Sequence, residues 1–336
     1  MKTALITGIT GQDGSYLAEA LLNNGYQVYG LIRRKSELNY GSASHLRGRV
    51  KFIFGDVCDE SSIINALKMS KANEVYNLAA QSFVGISWDN PKITTHINSL
   101  GVLNVLDAIR AVNPDIRFYQ ASTSEMFGNI SQIPQNEMTP FYPRSPYGVS
   151  KLYGHWITIN YRESYNMFAC AGILYNHESE RRGHEFVSRK ITDAVSKIKL
   201  GLLDVLEIGN LYSKRDWGHA MDYVQAMYLM LQQDLPGDYV ISSGKTNTVK
   251  KFIEAAFNCI DIDIIWEGTG LNEKGLCRKT GRTLVLVNPN FFRKSEVDIL
   301  LGDSSKAKSE LGWESRISFE SLVERMVLND LRINAS

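Results

Sequence analysis

The sequence predicts an α/β fold built on a mostly parallel sheet, and three observations carry that expectation. Strand-like runs alternate with helical patterns through the first half of the chain, a glycine-rich turn joins the first strand to the first helix, and polar clusters follow the strand ends. Alternation of this kind needs crossover helices, which cover both faces of a parallel sheet.

Residues 3–7 read as a buried strand, and the glycine-rich segment leads into a helix over 15–23 with apolar Tyr16, Leu17, Leu21 and Leu22 on one side. Residues 26–32 and 50–54 form the next two strands. A helix over 61–69, a strand over 74–78, a longer helix over 98–112 and a strand over 116–121 follow, the last ending in Ser122-Thr123-Ser124-Glu125. Ser145-Pro146 starts another helix, because proline suits the first helical position. Residues 168–175 return as a strand. Beyond it the alternation loosens into a helix over 186–199, a short strand over 205–208, a helix over 222–233, a helix reaching 258, a strand pair about 284–287 and a last helix from 319. The expected division is a Rossmann-type domain over 1–175, rejoined by 210–245, and a smaller mixed α/β lobe from 176–209 and 246–336.

With 37 Lys plus Arg against 36 Asp plus Glu, no chain-wide basic field exists to attract nucleic acid. Cys58, Cys170, Cys259 and Cys277 are widely spaced without a CxxC pair, as expected of reduced thiols. No stretch has the apolar length to span a bilayer and no leader pattern opens the chain, so a cytoplasmic protein is expected. The six histidines form no ligand motif, and no metal is assigned. His155 is expected to be a packed core residue.

Gly8-Ile9-Thr10-Gly11-Gln12-Asp13-Gly14 stands where a dinucleotide fingerprint must stand. Gly8 permits the turn, Gly11 lets backbone approach a pyrophosphate and Gly14 allows close helix packing. After the second strand, where an NAD site commonly has a carboxylate, the chain has Arg33-Arg34-Lys35; a guanidinium there suits a 2′-phosphate, so NADP is the expected cofactor. Asp56 either accepts from the adenine amino group or caps the following helix.

Tyr147 and Lys151 lie four residues apart on one helix face, roughly 5–6 Å apart at Cβ, so the ammonium is expected to favour the phenolate. Such a pair takes a proton from a carbinol while a nicotinamide takes the hydride, with Thr123 orienting the hydroxyl. Glu125 adds a second base, able to remove the proton beside a newly formed ketone and to protonate a leaving hydroxyl. Ser122 and Ser124 have no assignable histidine partner and read as hydrogen-bonding residues.

NLAAQSFV at 77–84, FYQASTSEMFG at 118–128, PFYPRSPYGVSKLYGHW at 140–156, NHES at 176–179, KRDWGHA at 214–220, FFRKSEVD at 291–298 and LGW at 311–313 together resemble the GDP-mannose 4,6-dehydratase family of extended short-chain dehydrogenases/reductases. The resemblance implies bound NADP, a GDP-linked mannose or manno-heptose substrate, and a homodimer or homotetramer in which residues 35–40 reach a neighbour. It carries catalysis to Thr123, Glu125, Tyr147 and Lys151. Val57, Leu78 and Ala79 join the cofactor contacts, and Ser82, Asn176, Lys190, Arg215, Arg293 and Glu296 the substrate contacts. Arg189 is a further candidate beside Lys190, although neighbours on a helix should point in different directions, and Arg215 has a salt bridge with Asp216 as its alternative. The segments at 180–184 and 268–283 and Lys35 depart from the family pattern. A 4-epimerase would need the Tyr147–Lys151 pair without Glu125, and a non-catalytic sugar-nucleotide binder would need neither.

Overall fold

The computed structural model describes residues 1–34, 36, 39–292 and 299–336. Seven strands form one sheet in which every pairing is parallel: β1 (Thr3–Thr7), β2 (Gln27–Ile32), β3 (Lys51–Phe54), β4 (Glu74–Asn77), β5 (Arg117–Thr123), β6 (Ala169–Leu174) and β10 (Asp238–Ile241), in the order β10-β6-β5-β4-β1-β2-β3. The order reverses between β1 and β4, which opens a crevice at the carboxyl ends of the strands. Helix α1 (Gln12–Asn23) begins inside the glycine segment, three residues before its expected start at 15.

Helices α1 and α7 (Ala220–Met230) bury Leu17, Leu21, Val224 and Met227 against one face of the sheet. Helices α2 (Glu60–Ser70), α4 (Gly101–Val112) and α5 (Pro146–Tyr165) bury Ile63, Leu67, Leu106, Ile109 and Tyr161 against the other. Ser145 caps α5 by accepting from Gly148 N at 3.0 Å, and Pro146 occupies its first turn, as the sequence predicts.

The helix expected at 98–112 begins earlier. Helix α3 (Pro91–Thr95) runs through a π-helical turn (His96–Leu100) into α4. The wide turn has an identifiable partner set: Asn98 accepts from Gln81 N at 2.9 Å and donates to Gln81 O at 3.0 Å and Ser150 Oγ at 3.1 Å. Those groups are remote in sequence, so helical periodicity carried no sign of the bulge.

In the second half, β7 (Asn176–Glu178), β9 (Lys214–His219) and β11 (Thr246–Thr248) form a three-stranded sheet in the order β11-β9-β7. Strands β8 (Leu206–Ile208), β12 (Ile264–Glu267), β13 (Lys274–Cys277) and β14 (Thr283–Val287) form another, with β14 parallel to β8 and the other pairs antiparallel. Helices α6 (Val187–Lys199), α8 (Val249–Asn258) and α10 (Phe319–Asn334) share a core with Trp217 and Val285, in which Phe252, Phe257, Val323 and Met326 are fully buried. The short α9 (Ser305–Leu311) lies beside β10 and α7. The basic segment at 268–283 ends at the surface, where Arg278 pairs with Asp263 and Arg282 with Asp204.

Candidate active site

The carboxyl ends of β1, β2, β4, β5 and β6 open into a cleft of about 630 Å³. Gly8, Gly11, Gln12, Asp13 and Gly14 line it, as do Arg33, Asp56, Val57, Leu78 and Ala79. Gly8 has φ +71°, and a Cβ there would come within 2.7 Å of Leu78 C and Ala79 N, so only glycine serves. A Cβ on Gly14 would meet Gly8 O at 2.5 Å, consistent with its packing role. Gly11 precedes α1 and caps it with no side chain, which leaves first-turn N–H groups facing the cleft for an anion. These residues fit a dinucleotide pyrophosphate.

Two details differ from expectation. Asp56 does not cap α2; Asp59 does, accepting from Ser61 N at 3.1 Å, while Asp56 Oδ1 accepts from Cys58 N at 3.0 Å. The Gln12 amide is engaged by protein, donating to His177 O at 3.0 Å and Asp13 Oδ1 at 2.9 Å and accepting from Ser179 Oγ at 2.7 Å. Gln12 therefore holds β7 against the glycine loop with its side chain.

Thr123, Glu125, Tyr147 and Lys151 converge on the same cleft. Thr123 ends β5, and its Oγ1 accepts from Glu125 N at 3.3 Å. A Cβ on Gly148 would stand 2.8 Å from Glu125 O, so this glycine lets the start of α5 sit directly on the Glu125 backbone. Lys151 Nζ donates to Ala121 O at 2.6 Å, joining α5 to the end of β5.

The electrostatics correct one expectation. Burial raises the Tyr147 phenol to about 12, and the nearby Glu125 charge adds to the rise, while the Thr123 hydrogen bond and Arg182 act the other way. Burial lowers Lys151 to about 8, with Asp13 partly opposing the shift. In the protein alone, desolvation thus outweighs the proximity that was expected to favour the phenolate.

Ser122 does have a histidine partner. His155 Nδ1 lies 3.0 Å from Ser122 Oγ, with both side chains buried, and burial lowers the imidazole to about 4. His155 is the packed core residue expected of it, and at neutral pH it is uncharged.

Asn176, Arg215 and Ser82 line the cleft, whereas Lys190 is not among its lining residues and holds its ammonium 3.2 Å from the centroid of the Phe291 ring. Arg293, Glu296 and Lys35 lie outside the described residues. The Asp216 carboxylate is held by Ser243 N and Oγ at 2.7 Å and by Gly244 N at 2.9 Å. Arg189 points away from Lys190 and pairs with Asp330 at 2.6 Å.

Two charged groups in the cleft escaped the sequence reading. His177 Nδ1 is 2.7 Å from Tyr175 O, and its Nε2 is 2.7 Å from Asp13 Oδ2. A carbonyl can only accept, so Nδ1 carries a proton; a second donor at Nε2 makes the ring an imidazolium facing a carboxylate. Arg182 lines the cleft with its guanidinium 3.5 Å from the Phe186 ring centroid and Nε 2.9 Å from Glu178 Oε2.

The model of the family described as GDP-mannose 4,6 dehydratase matches residues 5–326. The chain belongs to this family. It is 53% identical to the GDP-mannose 4,6 dehydratase of Drosophila melanogaster over 99% of this chain and 87% of the relative. It is 50% identical to that of Homo sapiens, over 99% of this chain and 92% of the relative. Among solved structures, UDP-glucose 4-epimerase of Thermotoga maritima has a TM-score of 0.84 at 23% identity, covering 99% and 100% of the two chains. dTDP-glucose 4,6-dehydratase of Bacillus anthracis, solved in complex with NAD, has a TM-score of 0.81 at 20% identity, covering 100% and 98%. These two likenesses establish the shared fold.

In this family member the Asp13–His177 pair ties the glycine loop to β7 across 164 residues. Burial raises Asp13 but the adjacent imidazolium outweighs it, so the carboxyl sits below its ordinary range. Burial lowers His177 but Asp13 outweighs it, so the imidazole sits above its own. The stabilisation is therefore complete between about pH 4 and pH 6.5, is lost above this as His177 deprotonates, and is lost below it as Asp13 protonates. Asp13→Asn should destabilise nucleotide-free protein by about 1.5–3 kcal/mol within that window and by less on either side. Thermal melting of both proteins across pH checks this; a pH-independent difference would contradict it.

Proposed function

We propose that this chain is an NADP-dependent GDP-mannose 4,6-dehydratase, converting GDP-D-mannose to GDP-4-keto-6-deoxy-D-mannose. The observation that carries the reading is Glu125 lining the same cleft as Thr123, Tyr147 and Lys151. An epimerase has no step for a carboxylate beside the ketone, whereas a dehydratase needs one. The family membership and the named relatives support the substrate.

In this mechanism Thr123 orients the C4 hydroxyl and Tyr147 takes its proton. A bound nicotinamide supplies the hydride acceptor, later the donor to C6, and in its oxidised form a positive charge that favours the phenolate. Lys151, fixed on the Ala121 carbonyl, holds positive charge near the phenol. With C4 a ketone, the C5 proton becomes acidic; Glu125 removes it and returns it to the departing C6 hydroxyl, which leaves as water. A solvent-derived proton then enters at C5, and Tyr147 releases to solvent the proton it took from the C4 hydroxyl, so that no net proton is gained or lost. Arg182 and the uncapped start of α1 provide cationic and N–H contacts for phosphate groups.

The test is turnover of GDP-mannose beside GDP-manno-heptose in deuterated solvent. A 4-keto-6-deoxy hexose carrying deuterium at C5 is expected. A 4-epimer without deuterium, or turnover of the heptose alone, would overturn the assignment.

NADP is the proposed dinucleotide because Arg33, at the end of β2, lines the cleft. Arg33→Ala should reduce the preference for NADP over NAD by roughly tenfold, about the 1.4 kcal/mol of one charge-assisted contact; equal relative affinities in wild type and variant would remove Arg33 from that role. The two-lobe division at 1–175 with 210–245 belongs to the same proposal, as does a homodimer or homotetramer. Val149, Tyr153 and Trp156 recur at helical spacing on the exposed side of α5, near exposed Ile93 and Leu100 on the adjoining helices, and support assembly. Four unpaired cysteines support the cytoplasmic location.

A further inference from the structure

Arg182 reaches the cleft from the loop between β7 and α6, and the carbonyls of that loop are held from behind. Arg189, in the first turn of α6, donates from Nη1 to Glu180 O at 2.6 Å and to Arg182 O at 3.1 Å. Its Nη2 meets Asp330 Oδ1 at 2.6 Å, and Asp330 Oδ2 accepts from Thr192 Oγ1 at 2.6 Å. The side chains of Arg189 and Asp330 are 5% and 1% exposed. Asn329, the neighbour of Asp330 on α10, also donates to Glu180 O, at 3.4 Å.

A buried ion pair of this kind is weak support for stability, because desolvation offsets much of its attraction. Its geometric effect is more specific. A planar guanidinium held at Nη2 by a carboxylate has the direction of its Nη1 hydrogens fixed. Here that direction meets the two carbonyls that set the backbone on either side of Arg181. On the cleft side, the Arg182 charge acts on Asp13 and His177, so a small displacement of the loop alters the field at the glycine turn.

We propose that Arg189, oriented by Asp330 of the C-terminal helix, is a positioning residue that sets the place of the Arg182 cation in the dinucleotide-binding cleft. The last helix of the chain thereby governs cofactor affinity without touching the cofactor. This rests on the reading of the cleft as a dinucleotide site.

A double-mutant cycle tests it, with NADPH as the probe in fluorescence titrations of nucleotide-free protein. Arg189→Lys keeps a cation for Asp330 but cannot serve both carbonyls, and Asp330→Asn releases the guanidinium. Each should weaken NADPH binding roughly tenfold in the otherwise wild-type protein and less than about twofold in an Arg182→Gln background, because coupled residues are non-additive. Turnover at saturating cofactor should stay within about twofold for Arg189→Lys, which separates positioning from a general loss of structure. Equal weakening in both backgrounds, or unchanged affinity with only a lower melting temperature, overturns the proposal. Arg182→Gln binding NADPH as tightly as wild type would instead remove the cleft reading of Arg182 beneath it. If Asp330→Asn does not fold, Arg189→Lys alone decides.

Discussion

Glu125→Gln is expected to lower formation of the 4-keto-6-deoxy sugar by about 10²–10⁴-fold, the usual contribution of a positioned acid–base group. The substitution preserves shape and leaves the surroundings in place: Glu125 N still donates to Thr123 Oγ1, and Gly148 still packs on the Glu125 carbonyl. What disappears is the base for C5 and the acid for the C6 hydroxyl. Tyr147, Lys151 and Thr123 remain for oxidation at C4, so a sugar trapped during the reaction should be a 4-ketone that retains its 6-hydroxyl. Cofactor affinity should be unchanged. The measurement is product mass and connectivity after quenching, and wild-type yields of the deoxy product would assign the acid–base role elsewhere.

Glu74→Ala is expected to cost about 2–5 kcal/mol of stability, because it takes the carboxylate acceptor out of a buried polar cluster and leaves two buried phenols short of a partner. Glu74 is 1% exposed at the amino end of β4, opposite the cleft. Its carboxylate accepts from Lys2 Nζ at 3.1 Å, Tyr26 OH at 2.9 Å, Tyr76 OH at 2.8 Å and Gln232 Nε2 at 3.3 Å. Alanine leaves the two buried phenols without this partner, and burial next to Glu74 already raises both. The midpoint of thermal unfolding should fall by roughly 5–15 °C, and Glu74→Gln, which keeps an acceptor oxygen, should fall less. Turnover well below the melting range should match wild type, since the cluster stands at the far end of the sheet. A melting temperature within a degree or so of wild type would show that the cluster contributes nothing net.

Much of the site was legible because its determinants are local. The glycine segment, Arg33 at a strand end, Thr123 and Glu125 after another, and Tyr147 and Lys151 one helical turn apart each follow from short-range geometry, and all line the cleft. The parts that were missed depend on pairs remote in sequence. Asn98 opens a π-turn because Gln81 and Ser150 meet it in space, and His155 meets Ser122 across 33 residues. A histidine in an NHES motif looks neither charged nor neutral until its two nitrogens have partners. The short β9 and β7 carried too few residues for periodicity to mark both as strands of one sheet.

The sequence by itself determined the parallel α/β plan, the glycine turn, the four side chains Thr123, Glu125, Tyr147 and Lys151 that line the cleft and, through long motifs, the family. Those features rest on backbone propensity, side-chain period and chemical type, all of which act within a few residues. Only the tertiary structure decided the proton affinities of Tyr147 and Lys151: about 12 and about 8 reflect how deeply the folded chain buries them, which spacing along a helix does not contain. It also decided that Asp13 faces an imidazolium and that Arg189 and Asp330 hold the loop of Arg182. Desolvation and long-range pairing are properties of the packed molecule, and they set the energies of groups whose identities the sequence had already supplied.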